Sequence, residues 1–366
     1  MKARRKNNKD PKENSFKILI EDFDISEYDE KGEEILNLLI NNNFLTLDQY
    51  QNISEILQKA IKDKDIELIE ILLSEEIETN DFLYKINPNR QTASIYKFLR
   101  KDDNIVVPRS IMHNRECYSI TSIIDSGSKN PKYHKKLKFV EDSELHTVHE
   151  NSFNDSSIEY LYIPPKLNEL RSGWCAKANF LTRIELSPEN QNFVMKDDQF
   201  LLGKSDPKSD KFDVLLFSVR NITTAHIPPN IKVVSPCAFH GCRELAEVEI
   251  PENSELRKIG KFAFAFSNIK ELFTPSRLSK LDEGWCAYAN CLARIESSPE
   301  NQYFVMKDDQ LLLGKSDPKS DKFDVLHFAV RDLTTAHIPS NIIVISPCAF
   351  QGCQKLDKVE IPENSE

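Results

Sequence analysis

Apolar residues recur at helical spacing in the first hundred residues of the chain. Segments 35–40, 50–61 and 66–73 each place isoleucine and leucine three and four positions apart, which is typical of short amphipathic helices. Asp63 or Asp65 stands where a side chain would cap the third of these helices. The pattern therefore predicts consecutive short helices that bury their apolar faces by stacking.

The helical segment is predicted to form a module of its own. Residues 1–17 are basic and polar and predict a flexible tail, and residues 18–104 predict the helical module. Within it, residues 60–77 resemble the helix-turn-helix of a degenerate ankyrin repeat, although the Thr-Pro-Leu-His turn of that family is missing. A small helical bundle is the alternative that these residues leave open.

Beyond residue 104 the pattern changes to short strands that end near a proline. The ordinary interval between these prolines is 23 or 24 residues, as from Pro251 to Pro275. A longer repeat contains the short one: residues 173–255 align without gaps with 284–366, and roughly 65 of the 83 positions are identical. Each long copy carries one insertion with alternating strands and a polar tip. The strand-like segments are 157–164, 180–188, 221–228, 244–251, 268–275, 291–299, 332–339 and 355–362.

A unit of 23 or 24 residues cannot enclose a core alone, so the units must stack. Stacking pairs the strands into a parallel sheet, and the return segments, which carry Phe or Trp, form the opposite wall. Leu245, Val248 and Ile250 then point inward from one strand. We therefore predict an α+β protein, with the helical module followed by a solenoid over 105–366 that has a parallel β-sheet on one face.

Residues 227–251 and 338–362 carry a family resemblance. Both resemble the I-P-x-x-V-x-x-I-x-x-x-A-F-x-x-C-x-x-L-x-x-I-x-I-P unit of the BspA-like leucine-rich-repeat family. The resemblance covers about residues 105–366 and implies a leucine-rich-repeat solenoid. That family includes surface antigens and adhesins, so the resemblance also implies protein binding and a place at the cell surface.

Charge and composition narrow the classes of function. The chain has 48 basic and 58 acidic residues and a net charge of −10, which disfavours nucleic acid and anionic lipid as partners. No apolar window is long enough to span a membrane and no leader begins the sequence, so the residues alone predict a cytoplasmic protein. Cysteines recur at fixed places in the repeat, which predicts small buried side chains rather than disulfides.

No catalytic, metal or cofactor site is predicted. Gly-Lys-Ser at 203–205 and 314–316 lacks the earlier glycine of a phosphate-binding loop. The pair Cys237 and Cys242 has no second pair at zinc-ligand spacing, and the aspartates of the insertions lack the glycine turn and glutamate of a calcium loop. The sequence therefore predicts a protein that is not an enzyme and needs no cofactor.

One column of side chains is a candidate binding surface. In each strand, the residue between the last two core positions points out of the sheet. His226 and His337 then lie between glutamates if the insertions loop out without breaking the stack, which predicts charged histidines and binding that is sensitive near pH ~6–7. The alternative is a solvated ladder of charges, in which each pair contributes ~0.2–1 kcal/mol. The column consists of Tyr162, Glu185, His226, Glu249, Phe273, Glu296, His337 and Glu360.

These observations predict a scaffold that binds a protein partner through the sheet of the solenoid. A BspA-like surface antigen or adhesin is the second hypothesis, and an enzyme that uses the insertions is a third, which no residue supports. The sequence stops within its second long repeat and leaves the strand 356–361 uncovered. We expect that the sequence is a fragment or that this edge pairs with a partner.

Overall fold

The computed structural model describes residues 59–60, 63, 65–88, 90–99, 102–124 and 135–363. The predicted tail at 1–17 and the predicted helix at 35–40 lie outside these residues, as does nearly all of the one at 50–61.

One predicted helix is confirmed. Helix α1 (Ile66–Leu73) begins after Asp65, whose side-chain oxygen Oδ1 accepts a hydrogen bond from the backbone N–H of Leu68 at 3.1 Å. This bond satisfies one of the N–H groups that have no partner within the helix. Ile69 is fully buried and holds the helix against the first strands.

The α+β class with its helical N-terminal module is wrong for the part of the chain that the structure describes. Directly after α1 come strands β1 (Glu75–Glu78), β2 (Phe82–Asn87) and β3 (Thr92–Phe98), which pair in antiparallel order. The described residues of 75–98 therefore form strands where the predicted helical module over 18–104 required helices, and the resemblance to an ankyrin repeat is not supported. The reason is the period of the apolar pattern, because Phe82, Tyr84 and Ile86 alternate with polar or less buried neighbours at period two and bury one face of a strand.

The remaining strands form a β-solenoid. They are β4 (Asn104–Val107), β5 (Ser110–His113), β6 (Glu116–Ile123), β7 (Lys136–Phe139), β8 (Thr147–Val148), β9 (Tyr160–Ile163), β10 (Glu169–Leu170), β11 (Arg183–Leu186), β12 (Val194–Lys196), β13 (Phe200–Gly203), β14 (Val214–Ser218), β15 (Thr224–His226), β16 (Val233–Val234), β17 (Glu247–Glu249), β18 (Lys258–Ile259), β19 (Glu271–Thr274), β20 (Lys280–Leu281), β21 (Arg294–Ser297), β22 (Val305–Lys307), β23 (Leu311–Gly314), β24 (Val325–Ala329), β25 (Thr335–His337), β26 (Val344–Ile345) and β27 (Lys358–Glu360).

The strands that precede the prolines form the sheet face, which is divided into four parallel sheets. Their orders are β4-β7-β9-β11, β15-β17, β19-β21 and β25-β27. The insertions cause two of the three breaks, because β12–β14 separate β11 from β15 and β22–β24 separate β21 from β25. The pairing of the last edge, β27, with a partner stays a prediction.

Each coil has a second wall of strands, most of them two residues long, and a third wall of return segments. Strands β14, β16, β18 and β20 pair in parallel order in the second wall. In the third wall, successive coils are joined by backbone bonds such as Phe239 N to Ala263 O and Phe264 N to Trp285 O, both at 2.7 Å. The rings of Phe239 and Phe264 stack at 4.8 Å inside the wall. Trp285 contacts Phe264 there, so the Gly-Trp-Cys units fill the same buried position as Ala-Phe.

The inward positions that the repeat predicts are confirmed. Leu245 is fully buried, and Val248 and Ile250 are each 7% exposed. The cysteines are all free thiols in the structure, and Cys175, Cys237, Cys242 and Cys286 are buried. The predicted domain boundary near residue 104 stays a prediction, although the parallel pairing of β3 with β6 carries one sheet across it.

Candidate binding surface on the sheet face

The eight residues of the predicted column lie on the sheet face in four neighbouring pairs. Parallel register places Tyr162 beside Glu185, His226 beside Glu249, Phe273 beside Glu296, and His337 beside Glu360. Every one of these side chains is exposed or half-buried, because each lies between two inward-pointing neighbours.

Both histidines contact a glutamate on one side. The Nδ1 atom of His226 lies 2.7 Å from Oε2 of Glu249, and that of His337 lies 2.7 Å from Oε2 of Glu360. The predicted arrangement, in which each histidine lies between two glutamates, does not form. The insertions interrupt the ladder between Glu185 and His226 and between Glu296 and His337.

A groove of about 590 Å³ runs over four strands of the sheet face, β15, β17, β19 and β21. We call it the sheet-face groove. It brings together half of the predicted column, with His226 at one end, Phe273 near the middle and Glu296 at the other end. The groove is lined by His226, Ile227, Val248, Glu249, Ile250, Pro251, Glu271, Leu272, Phe273, Arg294 and Glu296.

The sheet-face groove is acidic around an aromatic centre. Three glutamates line it against one arginine, Arg294, whose guanidinium nitrogens lie 3.8 Å from Glu271 and 3.4 Å from Glu296. These pairs are exposed on both sides, so water and salt weaken the attraction and leave the carboxylates available to a partner. Phe273 is half-buried and packs on the core, so part of its side chain is held in place and part stays open to a partner.

At the N-terminal end of the sheet face, a tyrosine and an arginine share one glutamate. The hydroxyl of Tyr160 donates to Oε2 of Glu185 at 2.9 Å, and Arg183 lies over the Tyr160 ring at 5.6 Å. Burial and the hydrogen bond to Glu185 raise the pKa of Tyr160 to about 12, so its hydroxyl stays a donor at neutral pH.

A second cavity, of about 560 Å³, lies at the first break in the sheet, between β11 and β15. We call it the wedge. The turn of the first insertion, Asp197–Gln199, closes one side of it, and both aspartates have left-handed backbones, with φ near 53° and 55°. The sequence pattern did not predict this cavity, although the change from a 24-residue to a 40-residue proline interval at Pro188 was a signal that the stack could open. Its lining is Thr182, Arg183, Ile184, Glu185, Asp197, Asp198, Gln199, Val219, Asn221, Ile222 and Thr223.

Metal sites and membrane-spanning helices are both missing from the residues that the structure describes. Among them, no group of three or more His, Cys, Asp or Glu side chains has the arrangement of a metal site. No described helix has the length and apolar character to cross a bilayer.

The comparisons with known proteins identify one sequence family. The profile of the BspA type leucine rich repeat region matches in six copies, over residues 117–198, 212–305 and 324–366. A search of curated proteins found no match.

Several solved structures are similar to the chain at low identity. A leucine-rich repeat protein from Eubacterium ventriosum is 15% identical, with a TM-score of 0.46 over 79% of this chain and 86% of that one. A leucine rich cell surface protein from Faecalibacterium prausnitzii is 16% identical, with a TM-score of 0.42 over 78% of this chain and 76% of that one. The pneumococcal vaccine antigen PcpA is 12% identical, with a TM-score of 0.33 over 79% of this chain and 99% of that one.

Proposed function

The chain belongs to the BspA-type leucine-rich repeat family, and we propose from this premise that it is a non-enzymatic scaffold that binds a protein partner through its sheet face. The observation that carries the proposal is the sheet-face groove, which joins four of the eight column residues in one surface of about 590 Å³. Repeat solenoids offer extended surfaces of this kind for recognition.

Phe273 is the expected anchor of the partner. Aromatic side chains at the centre of a surface, surrounded by polar groups that exclude water, provide most of the binding energy in protein interfaces. The core holds Phe273 from below, so little conformational entropy is lost when a partner covers the ring.

The charge of the groove selects the partner. Glu249, Glu271 and Glu296 outnumber Arg294, which favours a segment that carries lysine or arginine beside an apolar residue. We expect the acidic rim to act mainly on the rate of association, and Phe273 mainly on the rate of dissociation.

Site-specific cross-linking tests the proposal. A photoreactive phenylalanine analogue replaces Phe273 in one variant and Tyr288 in the control, since Tyr288 is exposed on the return wall. We expect a discrete cross-linked protein at position 273 that is lost when Glu249 and Glu271 are both changed to lysine. Equal cross-linking at both positions, or a product that the lysine variant leaves unchanged, would contradict the proposal.

The surface antigen or adhesin is the second candidate, and family membership favours it. It keeps the same binding face and differs only in the location of the chain. Antibody labelling of intact cells against permeabilised cells separates the two, because an adhesin is labelled without permeabilisation and an internal scaffold is not.

A further inference from the structure

We propose that the wedge between β11 and β15 accepts an extended, basic segment of a partner protein as an added β-strand. The inference rests on the proposed function, because it adds a second mode of binding to the same sheet face. The two remain separable, because the sheet-face groove acts through side chains and the wedge acts through backbone hydrogen bonds.

One wall of the wedge is the edge of β11, and the other is the segment 219–223 that leads into β15. Arg183 and Ser187 donate their N–H groups to β9 and its end, so the alternate residues Ile184 and Leu186 turn theirs toward the wedge. Beyond that segment, Thr223 O and Ile227 N pair with β17 and its neighbours, so the N–H and C=O groups of Thr224 and His226 in β15 point toward the open edge of β11.

The bonds that close an ordinary junction are missing here. At the other junctions of the sheet face, except those of β17 with β19 and of β21 with β25, two N–H groups at a strand start donate to one carbonyl just before the previous strand, as Thr182 and Arg183 do to Glu159. Among the described residues, no such bonds run from β15 to β11. A single bond from Arg220 N to Leu181 O, 3.0 Å long, joins the two segments just before the strands, and β11 and β15 separate beyond it.

The wedge has the size and the charge to select its occupant. Its volume of about 560 Å³ falls within the range of about 300–1,000 Å³ that is usual for ligand sites. Glu185, Asp197 and Asp198 line it against Arg183 alone, so its net charge is negative. An extended peptide satisfies the open backbone groups on both walls, and lysine or arginine side chains on that peptide complement the carboxylates.

The second long repeat contains the same junction. Arg331 N donates to Leu292 O at 3.1 Å, and β21 and β25 belong to different sheets. The alternation of backbone bonds turns Ile295 and Ser297 of β21, and Thr335 and His337 of β25, toward this break. We therefore expect two sites on each chain, and a partner with two such segments gains affinity from binding both.

Fluorescence anisotropy with a labelled Lys-Val-Lys-Val-Lys-Val peptide tests the proposal. Two control peptides have the same length: one with Glu in place of Lys, and one N-methylated at every second amide. We expect two sites per chain for the first peptide, and affinity at least tenfold lower for each control, because N-methylation removes donors for one wall without changing the charge. Equal affinity for the N-methylated peptide, or no binding of the lysine peptide, would overturn the proposal.

Variants of the chain test whether the peptide binds in the wedge. Thr224→Pro and Thr335→Pro each remove an N–H that faces a wedge and leave the bonds to the next strand in place. We expect each to remove one of the two sites. Asp198→Asn reduces the preference for lysine over glutamate, whereas Glu141→Gln, an exposed charge on an earlier coil, leaves it unchanged.

Hydrogen exchange of the wild-type chain tests the site of peptide binding even if a proline variant fails to fold. In the wild-type chain, the peptide should slow exchange at Ile184, Leu186, Thr224 and His226. Phe273→Ala should leave this protection intact, although it should lower the affinity of the sheet-face groove for its protein partner. Slowed exchange only in β17 and β19 would overturn the wedge proposal and leave the groove proposal standing.

Discussion

Two arginines lie inside the wall of the solenoid, which is an unusual place for a charged side chain. Arg220 is 4% exposed, its Nη1 donates to Ala238 O at 2.8 Å, and its guanidinium lies 4.1 Å from the centre of the Phe217 ring. Arg331 repeats this arrangement with Ala349 O at 2.8 Å and Phe328 at 4.3 Å. Each arginine closes the point where the chain returns from an insertion to the stack.

We expect Arg220→Ala to be strongly destabilising. The change leaves a cavity and removes the hydrogen bonds that the guanidinium donates to the carbonyls of Ala178, Cys237 and Ala238, so the free energy of unfolding should fall by about 3 kcal/mol or more. Urea unfolding measures the loss, and Arg257→Ala, an exposed arginine, should change it by less than about 0.5 kcal/mol. A loss below about 1 kcal/mol at Arg220 would show that the guanidinium does not hold the wall.

Three histidines are poorly solvated and resist protonation. Burial is the first cause at each, and it lowers the pKa of His149, His240 and His327 from 6.5 to about 4. Arg171 adds to the effect at His149, and Arg220 adds to it at His240. Between these two pH values the unfolded chain binds more protons than the folded chain, so folding stability falls as the pH drops from about 6.5 to about 4.

The other copy of the long repeat supplies the test of this pH effect. Leu216 occupies the position that His327 has in the second copy, so His327→Leu is a substitution that the fold already contains. We expect the variant to lose up to about 3 kcal/mol less stability than the wild type between pH 7.5 and pH 4.5, measured by urea unfolding. Parallel curves for the two proteins would contradict the assignment.

At the scale of elements, the insertions are closed by one aspartate in each copy. Asp213 accepts hydrogen bonds from Ser205 N at 2.8 Å, from Ser205 Oγ at 2.7 Å and from Lys232 Nζ at 2.9 Å. Burial alone would raise the pKa of Asp213, but the bonds from Lys232 and Ser205 outweigh it and lower the pKa below 3.8. Asp324 makes the same bonds to Ser316, at 2.7 and 2.6 Å, while residue 343 of its copy is Ile in place of Lys232.

This difference predicts unequal effects of one substitution in the two copies. Asp213→Asn should cost about 2 kcal/mol, and Asp324→Asn about 1 kcal/mol less, because only Asp213 also has an ion pair with the half-buried Lys232. The pKa values of Asp213 and Asp324 are both lowered, so the stability that their hydrogen bonds provide is present above pH ~4 and is lost only at more acidic pH. This loss occurs below the pH range in which the three buried histidines reduce stability. Thermal unfolding of the single variants measures the costs, and equal costs would exclude a role for Lys232.

Local spacing predicted some elements and misled for others. The cap at Asp65 and the helix after it followed directly from sequence, because both depend on residues a few positions apart. Strands β2 and β3 were not predicted, because the predicted helical module continues past Ser74 into residues whose apolar positions alternate with a period of two.

At the scale of the whole molecule, the repeat predicted the solenoid and most of the candidate surface. A fixed period determines which residues point inward, so Leu245 and its equivalents followed from the sequence, and so did the exposure of His226 and Phe273. The division of the sheet did not follow. An insertion of given length can loop out or open the stack, and residue spacing alone does not distinguish these outcomes.

Hydrogen exchange of the whole chain, with and without the partner recovered through position 273, tests the central claim that the sheet face binds a protein. The account predicts slower exchange in β15, β17, β19 and β21, and unchanged exchange in the return wall at 236–242 and 261–267. Slower exchange confined to the return wall would contradict it.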